Sequence, residues 1–275
     1  MSFDPNRSDL VIGVVGTGAM GRGIVQVSAA GGINVVMYDA KPGAAQEALK
    51  FIDGMLKRAV EKGSMTAENA QAAVARISVT DSLQGMKNCH VVIEAVIEYL
   101  DVKQKTYADL EGIVADDCII ASNTSSLSIT TLSNKMRLPG RFVGLHFFNP
   151  VPLMRLVEVI QGVRTEPWVS DALMVIGKRM TREPVLCADA PGFIVNQVGR
   201  GFSLEASHLV SEGIATFAEV DRVMRDVGGF RMGPFELLDL TALDVSQPAS
   251  EMVYSQFFHE ARYRPSLVKI GRAHV

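Results

Sequence analysis

The chain has 275 residues, 48% of them hydrophobic, and a formal net charge of −3. This length allows a large domain with a sizeable core and a smaller second domain, and the charge argues against a nucleic-acid surface. No apolar run reaches the roughly 18 to 20 residues of a membrane span, and the N-terminus lacks the apolar core of a signal peptide. Three scattered cysteines predict neither disulfides nor a zinc site. We therefore expect a cytoplasmic protein without a metal ion, a nucleic-acid partner or a membrane partner.

The segment from Leu10 to Asp39 has the pattern of a strand, a glycine turn, a helix and a second strand. An apolar run leads into Gly16-Thr17-Gly18-Ala19-Met20-Gly21. Gly16 permits the tight turn, Gly18 lets a pyrophosphate approach the backbone, and Gly21 lets the helix pack close to the strand. The pyrophosphate would then lie at the helix N-terminus, where free N–H groups favour an anion. The pattern predicts a dinucleotide-binding βαβ unit.

Asp39 ends the second strand eighteen residues after Gly21. Its carboxylate can accept both adenosine ribose hydroxyls and would repel the 2′-phosphate of NADP, so we expect NAD as cofactor. Lys41 leaves some use of NADP open. A glycine turn with a purely structural role is the alternative, which the strand, the helix and the acid at this spacing together disfavour.

A helical hairpin is predicted next, with one helix from Pro42 to about Lys62 and a second beginning at Thr66. The polar face of the first helix has two open readings, a surface for the phosphates of a large anionic substrate or an ordinary solvated face. Its basic residues are Lys50, Lys57, Arg58 and Lys62.

Strands and helices then alternate with short turns, with apolar strand segments at residues 77–80, 89–96, 118–122 and 142–145. This alternation predicts a Rossmann-type α/β domain with a doubly wound, mostly parallel sheet. Ligands of such sheets lie beyond the carboxyl ends of the strands. The polar residues at those ends are Glu98, Lys103, Asn123-Thr124-Ser125-Ser126 and His146-Phe147-Phe148-Asn149.

After Cys187 the strand pattern stops, and the remaining chain reads as helices. Long and short helical segments are predicted from Phe193 to Glu212, from Ala218 and after Pro234. We expect residues 1–188 to form the dinucleotide-binding domain with the helical hairpin inserted. Residues 189–275 are expected to form an all-helical second domain.

Several motifs, in order, resemble those of the short-chain L-3-hydroxyacyl-CoA dehydrogenases. They are Gly16-Thr17-Gly18-Ala19-Met20-Gly21, Ser122-Asn123-Thr124-Ser125-Ser126-Leu127, Leu145-His146-Phe147-Phe148-Asn149-Pro150, Leu156-Val157-Glu158-Val159, Pro191-Gly192-Phe193-Ile194-Val195-Asn196 and Met232-Gly233-Pro234-Phe235-Glu236-Leu237. The resemblance implies oxidation of a (3S)-3-hydroxyacyl-CoA to the 3-ketoacyl-CoA with NAD, in fatty-acid β-oxidation or a related acyl-CoA pathway. It also implies a homodimer and makes residues 189–275 the helical substrate and dimerisation domain.

Position by position, the resemblance makes His146 the catalytic base and Glu158 the acid that orients it. Ser125 and Asn196 would hold the reacting oxygen, and Glu98 and Lys103 would contact the cofactor. Asn149 is expected to bind the cofactor at its nicotinamide end, because it follows a strand of the sheet. The chemistry independently suits these residues, because imidazole titrates near neutrality and a carboxylate within the apolar strand Leu156-Val157-Glu158-Val159-Ile160 needs a partner. Each residue taken alone has a structural alternative. These alternatives are a core histidine for His146, a strand ion pair for Glu158, a turn serine for Ser125 and a helix-capping asparagine for Asn196.

Two other functions remain open from the sequence. One is a β-hydroxyacid dehydrogenase of the 6-phosphogluconate type. Enzymes of that type have a catalytic lysine on the first helix of the second domain, whereas here no lysine follows Asn196 as far as Gly213. The other is a cofactor-binding protein of the same fold that has lost turnover.

The end of the chain departs from the resembled family, which continues further past Leu267. Residues Ile270 to Val275 match none of that segment and can be encoded by sequencing-adapter DNA read in frame. We expect these six residues to be an artefact and the natural protein to be longer.

Overall fold

The computed structural model describes residues 3–241 and 243–266, and the side chains of residues 243–245 are not among the described parts. The expectation about Ile270 to Val275 therefore falls outside the described residues. Two compact units divide the chain, Met1–Asp189 and Ala190–Val275. No described helix combines the length and apolar character needed to cross a membrane.

The first unit contains one sheet with helices between its strands. The strands are β1 (Val11–Val15), β2 (Asn34–Tyr38), β3 (Ile77–Val79), β4 (Val91–Glu94), β5 (Ile119–Ser122), β6 (Phe142–Phe147), β7 (Leu156–Gln161) and β8 (Glu183–Ala188). The helices are α1 (Ala19–Ala30), α2 (Ala44–Glu61), α3 (Ala67–Ala75), α4 (Leu100–Glu111), α5 (Ile129–Leu132) and α6 (Pro167–Arg179).

The described strands lie in the order β3-β2-β1-β4-β5-β6-β7-β8. The predicted doubly wound, mostly parallel sheet is thus confirmed, and the chain reverses its winding between β1 and β4. Such a reversal opens a crevice at the carboxyl ends of these two strands. Ile12, Val14 and Ile93 are fully buried, as expected for parallel strands covered on both faces.

The pairing of β6 with β7 is antiparallel, whereas β7 pairs with β8 in parallel. The connection between β6 and β7 spans only residues 148–155. A parallel crossover needs a dozen or more residues, so the chain must reverse here. The reversal places residues of β7 directly opposite residues at the end of β6.

Strand β4 is shorter than the predicted segment 89–96. At its start the backbone N–H of Val11 donates to Nδ1 of His90 at 3.0 Å. At its end the N–H of Val96 donates to Oε1 of Glu94 at 2.7 Å. Side chains thus satisfy backbone groups at both ends of the strand.

The second unit consists of α7 (Val195–Ser211), α8 (Phe217–Asp226), α9 (Pro234–Thr241) and α10 (Leu243–Gln256). Its core includes Ala206, Val220, Phe235 and Leu238. Helix α7 begins two residues later than predicted, because Phe193 has a φ of +51° and cannot belong to a right-handed helix.

Candidate active site

The glycine turn after β1 meets different constraints at its three glycines. Gly16 has a φ of +93°, and a Cβ there would lie 2.6 Å from the carbonyl oxygen of Ala95. A Cβ at Gly21 would lie 1.8 Å from the carbonyl oxygen of Gly16, whereas a Cβ at Gly18 would meet nothing within 4 Å. The protein's own packing therefore requires glycine at positions 16 and 21. Position 18 borders open space, which suits a ligand that approaches the backbone.

Helix α1 begins directly after Gly18, with no side-chain cap and no acidic residue in its first turn. Its first N–H groups are thus available to an anion and lie at the positive end of the helix dipole. The turn and the helix together fit the pyrophosphate of a dinucleotide.

Asp39 lies just beyond β2 and faces this turn. Its Oδ2 accepts hydrogen bonds from the Thr17 N–H at 2.7 Å and the Thr17 hydroxyl at 2.9 Å, and its Oδ1 accepts one from the Lys41 N–H at 2.9 Å. Burial alone would raise the pKa of Asp39, but these hydrogen bonds outweigh burial and hold the pKa below its usual value. Three of about four acceptor positions are occupied, so the carboxylate has less spare capacity than the predicted pair of ribose bonds requires.

A cavity of about 590 Å³ extends from the glycine turn along the carboxyl ends of β1, β2 and β4. Gly16, Gly18 and Asp39 line it on one side, and Val96, Ile97 and Val102 supply apolar surface. The apolar surface suits a planar base and the acid suits a ribose, so the residues present fit the adenosine half of NAD.

Glu98 holds together the segment that follows β5. Its Oε1 accepts hydrogen bonds from the hydroxyl of Thr124, from the Ser125 N–H at 3.0 Å and from the Ser126 hydroxyl at 2.9 Å. Burial would raise the pKa of Glu98, but the charge of Lys103 and the hydrogen bonds from Thr124 and Ser126 hold it below the usual value. Glu98 is thus an anion that organises the loop carrying Ser125.

The Lys103 side chain is only 1% exposed. Its ammonium lies 2.6 Å from Oε1 of Glu94 and 3.2 Å from Oε2 of Glu98. Both of these partners are carboxylates of the protein. A direct contact of Lys103 with the cofactor stays a prediction, and this burial does not favour it.

His146 and Glu158 occupy opposed positions in the antiparallel pair of β6 and β7. Nδ1 of His146 lies 2.6 Å from Oε2 of Glu158, and the two side chains are 6% and 1% exposed. The ring of Phe148 packs against the imidazole with a centroid distance of 4.4 Å. The two side chains thus form a buried pair, and the catalytic roles of His146 and Glu158 stay predictions.

The two predicted asparagines lie in different places. Asn149 is exposed directly after β6 and precedes a cis peptide bond to Pro150. Asn196 lies in the first turn of α7 in the second unit. Their predicted contacts, with the cofactor and with the reacting oxygen respectively, stay predictions.

Two residues that the sequence analysis did not select have several polar contacts near the site. Glu94 is fully buried and accepts hydrogen bonds from Lys103, Tyr107 and Ser122. Asp189 accepts hydrogen bonds from the Ser128 hydroxyl and from the N–H groups of Ile129 and Thr130, and so caps the start of α5. An acid within the apolar run Val91-Val92-Ile93-Glu94 was the available signal for Glu94.

Comparison with known proteins agrees with the fold. Residues 11–190 match the family described as 3-hydroxyacyl-CoA dehydrogenase, NAD binding domain, and residues 192–273 match its C-terminal domain. A 3-hydroxyadipyl-CoA dehydrogenase of Escherichia coli is 37% identical over 94% of the chain and 54% of its own length. A 3-hydroxybutyryl-CoA dehydrogenase of Clostridioides difficile is 34% identical over 95% of the chain and 94% of its own length.

A solved structure of (S)-3-hydroxybutyryl-CoA dehydrogenase from Ralstonia eutropha superposes with a TM-score of 0.93 at 36% identity, covering 96% of the chain and 93% of that structure. The chain thus spans about half of the Escherichia coli relative and nearly all of the other two.

The fold and the glycine turn define a dinucleotide-binding protein whose sheet carries a histidine paired with a carboxylate. The chain belongs to the 3-hydroxyacyl-CoA dehydrogenase family, and its first unit is the NAD-binding domain of that family. The expected family, fold class and cofactor are confirmed.

Proposed function

We propose that the chain oxidises a (3S)-3-hydroxyacyl-CoA to the 3-ketoacyl-CoA, with His146 as the base that takes the hydroxyl proton. The observation that carries this proposal is the buried pairing of His146 with Glu158 at 2.6 Å, on a sheet whose other strand ends form a dinucleotide cradle. Bound NAD supplies the hydride acceptor.

The pairing assigns different tasks to the two imidazole nitrogens. If Nδ1–H donates to the Glu158 carboxylate, Nε2 is left unprotonated and can accept the substrate proton. The resulting imidazolium is then stabilised by the carboxylate beside it, as in other acid–histidine pairs. Oxidation of the alcohol requires that this proton leaves as hydride leaves C3, so the base must face the substrate hydroxyl.

The remaining roles are also proposals. The glycine turn binds the pyrophosphate, and Asp39 accepts a ribose hydroxyl and discriminates against a 2′-phosphate. Ser125 and Asn196 donate hydrogen bonds to the reacting oxygen, where charge changes during the reaction. Glu98 and Asn149 serve the nicotinamide side of the cofactor. A homodimer rests on the family resemblance, and a cytoplasmic location rests on the sequence pattern. Light scattering of the purified protein tests the first.

A second, narrower candidate concerns the acyl chain. Arg200 on α7 donates from one nitrogen to the Ser246 carbonyl at 3.3 Å and to the Ser250 hydroxyl at 2.8 Å, while its Nε is buried without a partner. Burial lowers the pKa of this guanidinium. No carboxylate forms an ion pair with it among the side chains that the structure describes. Arg200 is half-buried, and its Nε keeps an unused hydrogen-bond donor, so we propose that Arg200 receives the terminal carboxylate of a dicarboxylic acyl chain.

Absorbance of NADH tests the proposed activity against its alternatives. With acetoacetyl-CoA the wild-type protein is expected to consume NADH, and with 6-phosphogluconate and NAD it is expected to produce none. Turnover of 6-phosphogluconate would support the other dehydrogenase type. NAD binding without turnover of either compound would support a non-catalytic protein.

A further inference from the structure

A buried polar cluster lies beside the Ser125 loop, at the carboxyl ends of β4 and β5. It consists of Glu94 from β4, Ser122 from β5, and Lys103 and Tyr107 from α4, and each of the four is at most 1% exposed. Charged residues are rarely buried in this way unless they are paired. We refer to these four residues as the anchor cluster.

Glu94 is the centre of the anchor cluster. Its Oε1 accepts from the Val96 N–H at 2.7 Å and from the Lys103 ammonium at 2.6 Å. Its Oε2 accepts from the Tyr107 hydroxyl at 2.5 Å and from the Ser122 hydroxyl at 2.8 Å. Burial, and then the charge of Glu94, raise the pKa of Tyr107 well above its usual value, so this hydroxyl keeps its proton and donates. Four donors therefore fix the carboxylate, and the carboxylate fixes the ammonium.

The anchored ammonium extends to a second carboxylate. Lys103 Nζ also lies 3.2 Å from Oε2 of Glu98, whose other oxygen accepts hydrogen bonds from Thr124, Ser125 and Ser126. A continuous chain of polar contacts thus runs from the interior to the backbone of Ser125. One cation serves two carboxylates, and loss of the cation would leave both without their charge partner.

Net stability alone is a weak reason for such an arrangement. Buried ion pairs often contribute little, because desolvation of the charges offsets their attraction. Control over the position of a catalytic group is a stronger reason, because displacements of about 1 Å in such a group can reduce turnover by up to about 10²-fold. The anchor cluster joins rigid strands to a loop that has no other regular structure.

We propose that Lys103 is a positioning residue, which transmits the fixed position of Glu94 through Glu98 to the loop carrying Ser125. The proposal rests on the proposed function, because Ser125 is assigned there to the reacting oxygen. It differs from direct cofactor contact in that Lys103 acts through protein carboxylates. The loop should therefore depend on Lys103 even when no cofactor or substrate is present.

The test compares Lys103→Met, the charge-balanced double variant Lys103→Met/Glu94→Gln, and Glu98→Gln, which leaves the anchor cluster intact. Lys178→Met, on an exposed lysine of α6, is the matched control. Amide hydrogen exchange of peptides covering residues 122–128 is measured on each protein without ligands. Melting temperature, kcat, and KM for acetoacetyl-CoA are measured beside it.

We expect Lys103→Met and Glu98→Gln to increase exchange of the 122–128 peptides by about tenfold and to lower kcat about 10- to 100-fold, with a smaller change in KM. The double variant should regain melting temperature relative to Lys103→Met, because no unpaired Glu94 remains, without regaining loop protection or kcat. Recovery of protection and kcat in the double variant would show that Lys103 only neutralises Glu94, and would overturn the proposal.

Unchanged exchange in Glu98→Gln would equally overturn the proposal, and this variant remains informative if Lys103→Met does not fold. A wild-type protein without dehydrogenase activity would instead refute the proposed function. In that case the exchange data still decide whether Lys103 holds the loop.

Discussion

His146 and Glu158 face each other across β6 and β7, with Nδ1 2.6 Å from Oε2. The two residues are only twelve positions apart in sequence, and the short connection between the strands makes their pairing antiparallel. A slip of one residue in this register would turn Glu158 to the other face of the sheet. The proposed catalytic pair therefore depends on strand register as much as on the identity of its residues.

Alanine substitutions at Gly18 and at Gly21 are predicted to have different effects on stability and on NAD binding. Gly18→Ala should leave the melting temperature nearly unchanged, because its Cβ would meet nothing within 4 Å, yet should weaken NAD binding. Gly21→Ala should destabilise the protein by about 1–3 kcal/mol or more, because its Cβ would collide with the Gly16 carbonyl. Thermal denaturation and NAD titration measure both. Equal loss of stability in the two variants would contradict this assignment.

Asp39 is predicted to determine the preference for NAD over NADP. Asp39→Ala should weaken NAD binding by roughly 10- to 100-fold, as expected for a lost hydrogen bond to a charged group, and should narrow the preference because repulsion of the 2′-phosphate also disappears. Titration of both cofactors by calorimetry gives the ratio. Asp171→Ala, on the exposed face of α6, serves as control. An unchanged ratio in Asp39→Ala would show that this carboxylate does not contact the ribose.

The pKa of Glu98 predicts a pH dependence of stability. Its folded-state pKa lies below the usual value of 4.5, so its ionised form stabilises the fold above the unfolded-state pKa. This contribution is lost as the pH falls through the folded-state pKa. The melting temperature of wild type should therefore exceed that of Glu98→Gln by a constant amount at neutral pH, and the difference should shrink below about pH 4.

The exposed Glu205 on α7 provides a control for this measurement. Glu205→Gln should show no comparable pH-dependent difference from wild type. A difference between wild type and Glu98→Gln that stays constant down to pH 3 would contradict the lowered pKa of Glu98.

Arg200 is predicted to select the end of the acyl chain. Arg200→Met should lower kcat/KM for 3-hydroxyadipyl-CoA by roughly 10- to 100-fold, the value of a charge-assisted hydrogen bond, and leave 3-hydroxyhexanoyl-CoA nearly unaffected. The ratio of the two kcat/KM values separates recognition of the terminal carboxylate from general damage to the protein. A ratio equal in wild type and variant would exclude this role for Arg200.

Local patterns were sufficient to predict the architecture, and the family resemblance paired His146 with Glu158. Alternating strands and helices indicated the parallel sheet, and an acid inside an apolar strand indicated that Glu158 needs a partner. The same argument applies to Glu94, which ends the apolar run of β4 and has four donors in the structure. No role for Glu94 follows from the sequence, because its partners lie on α4 and β5 and no local spacing relates them.

The side-chain partners of Lys103 could not be read from its spacing either. Lysine at the start of a helix beyond a strand suits a cofactor contact and a buried anchor equally well. Only the burial of its ammonium between two carboxylates separates these roles. Similarly, Asp39 was predicted to accept two ribose hydroxyls, whereas Thr17 and Lys41 already occupy most of its acceptor positions.

A double-mutant cycle of His146 and Glu158 tests the proposed mechanism most directly. His146→Gln, Glu158→Gln and the double variant are compared with wild type in kcat for acetoacetyl-CoA reduction, with NAD affinity measured as control. His146→Gln should lower kcat by roughly 10²- to 10⁴-fold with little change in NAD affinity. The double variant should lose little more than the worse single variant, because the two residues act as a unit. Losses that multiply in the double variant would contradict a functional pair.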